Sequence, residues 1–305
     1  MNYYSHGKLL ITGEYLIIKG AMAVAAPVRF GQEMQIEVNS SDEYLKWESF
    51  ELDRCWFHAI FDTTFSKIIE TSDSEVANRL LLWLIAADKL NPGFLKRQKF
   101  KKVIVKSDFN LSWGLGSSSS LLSDIALWAE VDSFRLHKLL SKGSGYDVVC
   151  AQAEGPIFFT RKDEDYTVKK ADFFPAFANK VYFIYLGRKQ DSSLSVETFL
   201  EEKSSFAKEI ENVSELSIRM ASAKSIDEFE MGIKEHEEII SSLLHRKRIK
   251  EERFSDLQGE IKSLGAWGGD FAMLTWHDTL KELKKYLATK NIDTIFTFKE
   301  IIKTN

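Results

Sequence analysis

Proline and cysteine are scarce in this chain, with 4 and 2 among 305 residues. Thiols as far apart as Cys55 and Cys150 build neither a disulfide framework nor a zinc ribbon, so both are expected to be buried thiols of a cytoplasmic protein. No sign of charge dominates. Lys+Arg 41 against Asp+Glu 45 leaves a net charge of −4, too balanced for a protein whose main task is gripping nucleic acid. Long apolar runs are also missing. The longest, Leu80 to Ala87, falls far short of the roughly 20 residues that a bilayer span requires. The opening MNYYSHGKLLITGEY has no basic region followed by an apolar stretch and cleavage site, so no secretion signal is predicted. What is present is ordinary for a soluble globular protein, 44% hydrophobic and 28% charged, which excludes disorder. The length fits two modest domains or one large one.

Glycine is sparse as well, 16 in all, and its clusters are therefore informative: Gly7/Gly13, Gly114/Gly116, Gly143/Gly145 and Gly265/Gly268/Gly269. Around them the pattern predicts strands in the first forty residues, LLITGEYLII (broken at Gly13) and the alternating Met34 to Val38. Ser74 to Leu90 reads as a helix capped by Ser72 or Ser74 and ended by Asn91-Pro92-Gly93. Lys101 to Lys106 is a strand. Asp108 to Ser120 is a loop entering the apolar, helically spaced LLSDIALWAEV. Gly143 to Asp147 is a second tight loop, followed by strands at Pro156 to Thr160 and Asp165 to Lys169. The character changes near Phe174 to Asn179. A strand follows at Val181 to Leu186, then a charged helical region from Val196 to Leu264 with Gly232 as its weak point. The loop GAWGGD, the strand FAMLTW, an amphipathic helix from Asp278 to Ala288 and a strand near Thr294 to Phe298 close the chain. This order predicts two α+β layers.

The segment Trp113-Gly-Leu-Gly-Ser-Ser-Ser-Ser120 is the most informative. Gly114 and Gly116 let backbone bend close to a ligand. The serines then open a helix, whose unpaired N–H groups and positive dipole end bind phosphate. No Gly-Lys-Ser/Thr closes the loop as in a P-loop, and the third glycine of a dinucleotide fingerprint is missing.

Gly114-Leu-Gly-Ser-Ser-Ser-Ser120 resembles the glycine–serine motif of the GHMP kinases, with Asn110 where the family has proline and Ser119 and Ser120 where it has alanine. Two more segments resemble that family in the right order: His6-Gly-Lys-Leu-Leu-Ile-Thr-Gly-Glu14-Tyr near the start, and Lys262-Ser-Leu-Gly-Ala-Trp-Gly-Gly-Asp270 near the end. The resemblance implies an α+β, two-domain GHMP kinase fold, with a ribosomal protein S5 domain 2-like N-terminal domain (1–175) and a ferredoxin-like C-terminal domain (176–305). It implies ATP held by Gly114, Leu115, Gly116, Ser117, Ser118, Ser119, Ser120, Gly268 and Gly269. Lys142-Gly-Ser-Gly-Tyr-Asp147 is similar to the family segment whose aspartate is the catalytic base, which falls on Asp147, with Lys8 as its lysine. Magnesium would be held by Ser118 and a helix glutamate, for which Glu130 is the candidate. The stretch from Ser120 to Gly143 is shorter than in most relatives.

Glu14, Arg188 and Ser192 are the candidate substrate residues, the last two from Gly187-Arg-Lys-Gln-Asp-Ser-Ser193. A basic turn there suits an anionic small molecule. His236-Glu-Glu lacks the second histidine of a zinc-protease helix. The run from His245 to Arg253 reads as a solvated turn between helices. The implied activity is ATP-dependent phosphorylation of a small alcohol or phosphate by a soluble cytoplasmic monomer or homodimer, with no nucleic acid or membrane partner. The Gly-Tyr-Asp and Gly-Gly-Asp segments look closest to the mevalonate branch, which implies mevalonate as acceptor. Phosphomevalonate phosphorylation, diphosphomevalonate decarboxylation and a non-catalytic ATP-binding role are the alternatives.

Overall fold

A computed structural model describes residues 1–38, 44–62, 64–98, 101–187, 199, 206–265, 267 and 270–304. The chain packs as two units. One takes Met1–Gly7, Phe30–Leu111 and Leu115–Gln152; the other takes Lys8–Arg29, Ser112–Gly114 and Ala153–Asn305. Strands β1 (Asn2–Leu10) and β2 (Ala23–Val38) contribute residues to both.

In the first unit, β2 is joined by β3 (Leu45–Glu51), β4 (Arg54–Phe61), β5 (Ile68–Thr71) and β6 (Lys101–Ser107) in the order β5-β4-β3-β6-β2. The β3–β6 pair is parallel. Met34 and Ile36 alternate inward along β2, as the period-two pattern predicts. Helices α1 (Ser74–Leu90), α2 (Ser117–Ala129), α3 (Ser133–Leu140) and α4 (Tyr146–Cys150) complete the unit. The cap of α1 is Asp73, whose carboxylate accepts the N–H groups of Glu75 and Val76. It displaces both predicted serine caps, and its charge also suits the positive helix end. Trp47, Phe57 and Phe61 of the sheet pack with Leu84, Leu122, Ile125, Trp128 and Val148 of the helices. Each such side chain contributes about 1.5–3 kcal/mol on burial.

Two expectations change here. The stretch LLITGEYLII is not one broken strand: β1 ends at Leu10, and Leu16–Lys19 is a 3-10 turn entered through Tyr15 at φ 63, which no strand permits. Cys55 is exposed while Cys150 is buried, because Cys55 lies on the solvent-facing start of β4.

In the second unit, Ala23–Ala25 of β2 pairs with β7 (Ile157–Lys162), and β7 pairs with β8 (Asp165–Lys170). A separate antiparallel sheet is formed by β9 (Val181–Tyr185), β10 (Ile261–Leu264), β11 (Phe271–Thr275) and β12 (Ile295–Thr297), ordered β10-β11-β9-β12. The helices are α5 (Ala207–Ala221), α6 (Ile226–Leu244), α7 (Ile249–Arg253), α8 (Leu280–Thr289) and α9 (Phe298–Ile301). One face of the four-stranded sheet, with Tyr182, Ile184, Ala272 and Leu274, packs on Ile249, Phe254, Leu283 and Leu287. Lys262, Met273 and Phe183 line up across the opposite face.

Residues Ile261–Leu264, predicted as the end of the helical region, form β10. All four are buried, and a buried four-residue run carries no helical period to read. Gly232 does not break α6. A Cβ there would lie 2.6 Å from Met220 Cγ, so the glycine permits close α5–α6 packing. The basic run ends α6 at His245, and Arg248 pairs with Glu238 and Glu251. No described helix is long and apolar enough to cross a membrane.

Candidate active site

The glycine–serine loop delivers the chain into α2 through Gly116, which caps the helix at φ 88 without a side-chain bond. The four serines then divide by role. Ser119 and Ser120 are buried, and their hydroxyls donate to the Gly116 carbonyl at 2.9 and 3.1 Å. Gln32 Nε2 donates to the Ser120 hydroxyl and the Ser117 carbonyl, both at 2.5 Å. These contacts hold the turn rather than a ligand. Ser118 is exposed and Ser117 half-buried, and among the described residues neither hydroxyl has a hydrogen-bond partner. Together with the first-turn N–H groups of a 13-residue helix they leave a set of donors open, an arrangement that suits an anion. Leu115 is buried and supports the loop through its side chain.

In the second unit, Gly114 lies against the end of the third motif. A Cβ on Gly114, at φ +70, would fall 1.9 Å from Asp270 Oδ2. Any larger residue must therefore push that carboxylate away. Trp113 meets Phe271 and Phe296 edge-on, and the Tyr185 hydroxyl donates to the Ser112 carbonyl at 3.0 Å.

Asp147 stands in the first turn of α4, capped by Gly145 at φ 79. Its carboxyl is half-buried and has no hydrogen-bond or ion-pair partner among the described residues. It is an acceptor left open, in the same unit as the α2 terminus.

Glu14 departs from its predicted role. It is 2% exposed, and its Oε1 accepts from the fully buried Lys262 Nζ at 2.5 Å. His236 Nε2 lies 3.4 Å from Glu14 Oε2 and accepts the Gly13 N–H at 3.0 Å. Glu237 Oε1 accepts the Ser263 N–H at 3.2 Å. Burial raises the Glu14 carboxyl, opposed by the Lys262 ammonium. Burial pushes Glu237 up to about 8. Burial and Lys262 hold His236 well below its ordinary range. At neutral pH Glu237 thus keeps its proton and His236 is neutral, with the hydrogen on Nδ1 because Nε2 accepts. The cluster ties the first motif to the third and closes Glu14 off from solvent, where a pocket residue was expected.

Glu130 departs as well. It is the C-cap of α2, at φ 57, whereas Ser118 is in the first turn. About 18 Å of helix axis separates them, so one magnesium ion cannot bind both. No cluster of three or more His, Cys, Asp or Glu suited to a metal occurs among the described residues. The magnesium set implied by the sequence does not fit this chain. Lys8 is a half-buried residue of β1. Gly268, Gly269, Arg188 and Ser192 lie outside the described residues.

The sequence reading passed over Asp124, which is fully buried on α2 with Oδ1 accepting from Ser5 Oγ at 2.5 Å. The available signal was a lone carboxylate inside LLSDIALWAEV. Burial pushes its carboxyl up to about 7. It also did not join Lys262 to the adjacent pair His236 and Glu237, which stand on α6 while Lys262 stands on β10.

The fold so defined is the two-domain α+β fold of the GHMP kinases, and the likeness runs through the whole chain. Phosphomevalonate kinase of Streptococcus pneumoniae, solved with phosphomevalonate and AMPPNP, matches with a TM-score of 0.72 at 16% identity over 97% of this chain and 99% of that one. Mevalonate kinase of Methanococcus jannaschii matches at 0.70 and 15% identity, over 100% and 98%. Galactokinase of Lactococcus lactis, complexed with galactose, matches at 0.72 and 12%, over 99% and 92%. No family model matches the sequence, and no curated protein does.

Proposed function

We propose that this protein is an ATP-dependent small-molecule kinase. The observation that carries the reading is the pairing, in one unit, of an open helix N-terminus at Gly116–Ser118 with an open carboxylate at Asp147. Phosphoryl transfer asks for positioning and charge stabilisation more than for covalent chemistry. The α2 N–H groups and the Ser117 and Ser118 hydroxyls would hold the phosphates of ATP. An acceptor oxygen attacks the γ-phosphorus, the bond to the β-phosphate oxygen breaks, and ADP leaves. Asp147 takes the acceptor's proton. Lys8 is the cation that the sequence resemblance assigns to the reaction.

Mevalonate is the acceptor we favour. The Gly-Tyr-Asp147 and Gly-Gly-Asp270 segments support it, as do structural neighbours that are mevalonate and phosphomevalonate kinases. The test offers ATP and magnesium with mevalonate, phosphomevalonate, diphosphomevalonate, galactose or homoserine. ADP release with mevalonate alone is the expected result. Carbon dioxide from diphosphomevalonate would replace the kinase by a decarboxylase. ATP binding without ADP release from any acceptor would leave a nucleotide-binding regulator.

A further inference from the structure

Beyond its first turn, helix α2 is apolar where it is buried, except at two consecutive residues. Ser123 and Asp124 are both fully buried, which costs stability unless each is paired. Ser123 reaches the short helix that carries Asp147 directly, and Asp124 reaches the residue just past that helix's C-cap, Gln152, through Ser5 of β1. Ser123 Oγ donates to the Val148 carbonyl at 2.6 Å. That carbonyl needs a donor from elsewhere, because the Gln152 N–H, which a continuing α-helix would send to it, turns to the Val149 carbonyl at 3.3 Å. Asp124 Oδ1 accepts from Ser5 Oγ, which in turn accepts from Gln152 Nε2 at 2.5 Å. The next residue of β1, His6, donates its N–H to the Ala151 carbonyl at 2.9 Å. Helix α4 has five residues and no side-chain cap, so it has little stability of its own.

We infer that Ser123, together with the Ser5–Asp124 pair, forms a polar clamp that registers α4, and with it Asp147, on the helix that opens the phosphate site. These are positioning residues, and their catalytic role rests on the kinase reading above. Apolar packing of Leu122 and Ile125 on Val148 would tolerate a slide of α4. A buried serine hydroxyl aimed at one carbonyl would not. A shift of the base by about 1 Å is enough to lower phosphoryl transfer some hundredfold.

The test uses the full-length chain with Ser123→Ala, Ser5→Ala, Asp124→Ala and Asp124→Asn, each checked for a cooperative thermal transition. Amide hydrogen exchange is read first, without ligand. Residues 146–152 should exchange about tenfold faster in Ser123→Ala and Ser5→Ala, with α1 unchanged. Equal exchange in these variants and the parent would overturn the clamp. Steady-state kinetics with ATP and the acceptor that works in the panel come second. Ser123→Ala should lower kcat by about ten- to a hundredfold with the KM for ATP within about twofold. Asp124→Asn, which keeps the carbonyl acceptor for Ser5, should recover most of what Asp124→Ala loses. Equal losses in kcat and ATP affinity would overturn the positioning role. If the parent chain phosphorylates no acceptor while α4 still loosens in Ser123→Ala, the kinase reading fails and the packing role of the clamp stands.

Discussion

The open end of α2 and the buried cluster around Lys262 make an instructive pair. Both grow from segments that resemble one family's motifs, and both are rich in polar side chains. Ser117 and Ser118 at the α2 terminus, and Asp147 on α4 in the same unit, leave hydrogen-bonding capacity unused among the described residues. In the cluster, Glu14, Lys262, His236 and Glu237 are at most 2% exposed and bound chiefly to one another and to nearby backbone. The first arrangement leaves polar atoms open to a ligand; the second satisfies most of them inside the protein. A motif residue's role is thus decided by whether its partners are already inside the protein.

The sharpest way to break this contrast is Asp147→Asn. It should cut phosphoryl transfer by about 10²–10⁴-fold while calorimetric ATP binding stays within about threefold. A mild loss would deny the open carboxylate its role. Lys262→Met should instead act on stability. Removing one partner of a buried pair costs about 3–5 kcal/mol, read as a lower urea midpoint. The double variant with Glu14→Leu should lose less than Lys262→Met alone, because no charge is left stranded. A smaller effect separates serines two residues apart. Ser120→Ala should cost about 1 kcal/mol of stability through its bonds to Gly116 and Gln32. Ser118→Ala should leave stability unchanged and weaken ATP binding. The reverse outcome would exchange the two roles.

The most gradual expected effect is a pH slope, spread over several pH units. Glu237 titrates near 4.5 when unfolded and at about 8 when folded. Between these values the native state holds a proton that the unfolded chain has released. Its contribution to stability therefore falls as pH rises from about 4.5 through about 8 and is flat above. Glu237→Gln should flatten that slope in urea titrations, so that the variant gains on the parent most at alkaline pH. Parallel titrations would mean that Glu237 is already ionised at neutral pH.

Much of this was legible in the sequence because it is local. The Ser74–Leu90 helix has a regular apolar spacing and a clear stop. The turn into α2 is written in its glycines. Errors arose where a distant partner decides the outcome. Glu14 looks like a pocket residue until Lys262, 248 positions away, is seen to neutralise it. Glu130 looked available because the helix from the glycine–serine loop leads to it, but the length of α2 carries it to the wrong end. Tyr15 at φ 63 turns an apparent strand into a 3-10 turn, because tertiary packing overrides local propensity. Ser123 and Asp124 stand out as polar residues on an apolar helix face, but their partners, Val148 on α4 and Ser5 on β1, are not legible in the sequence.

The most direct test of the central claim is rapid-quench measurement of γ-phosphoryl transfer from ATP to mevalonate, in the parent chain and in Asp147→Asn, with ATP saturation confirmed for both. The account predicts a phosphorylated acceptor with the parent and a loss of at least about a hundredfold in the variant. ATP bound to both proteins with equal transfer rates, or with no transfer to this or any other acceptor of the panel, would contradict it.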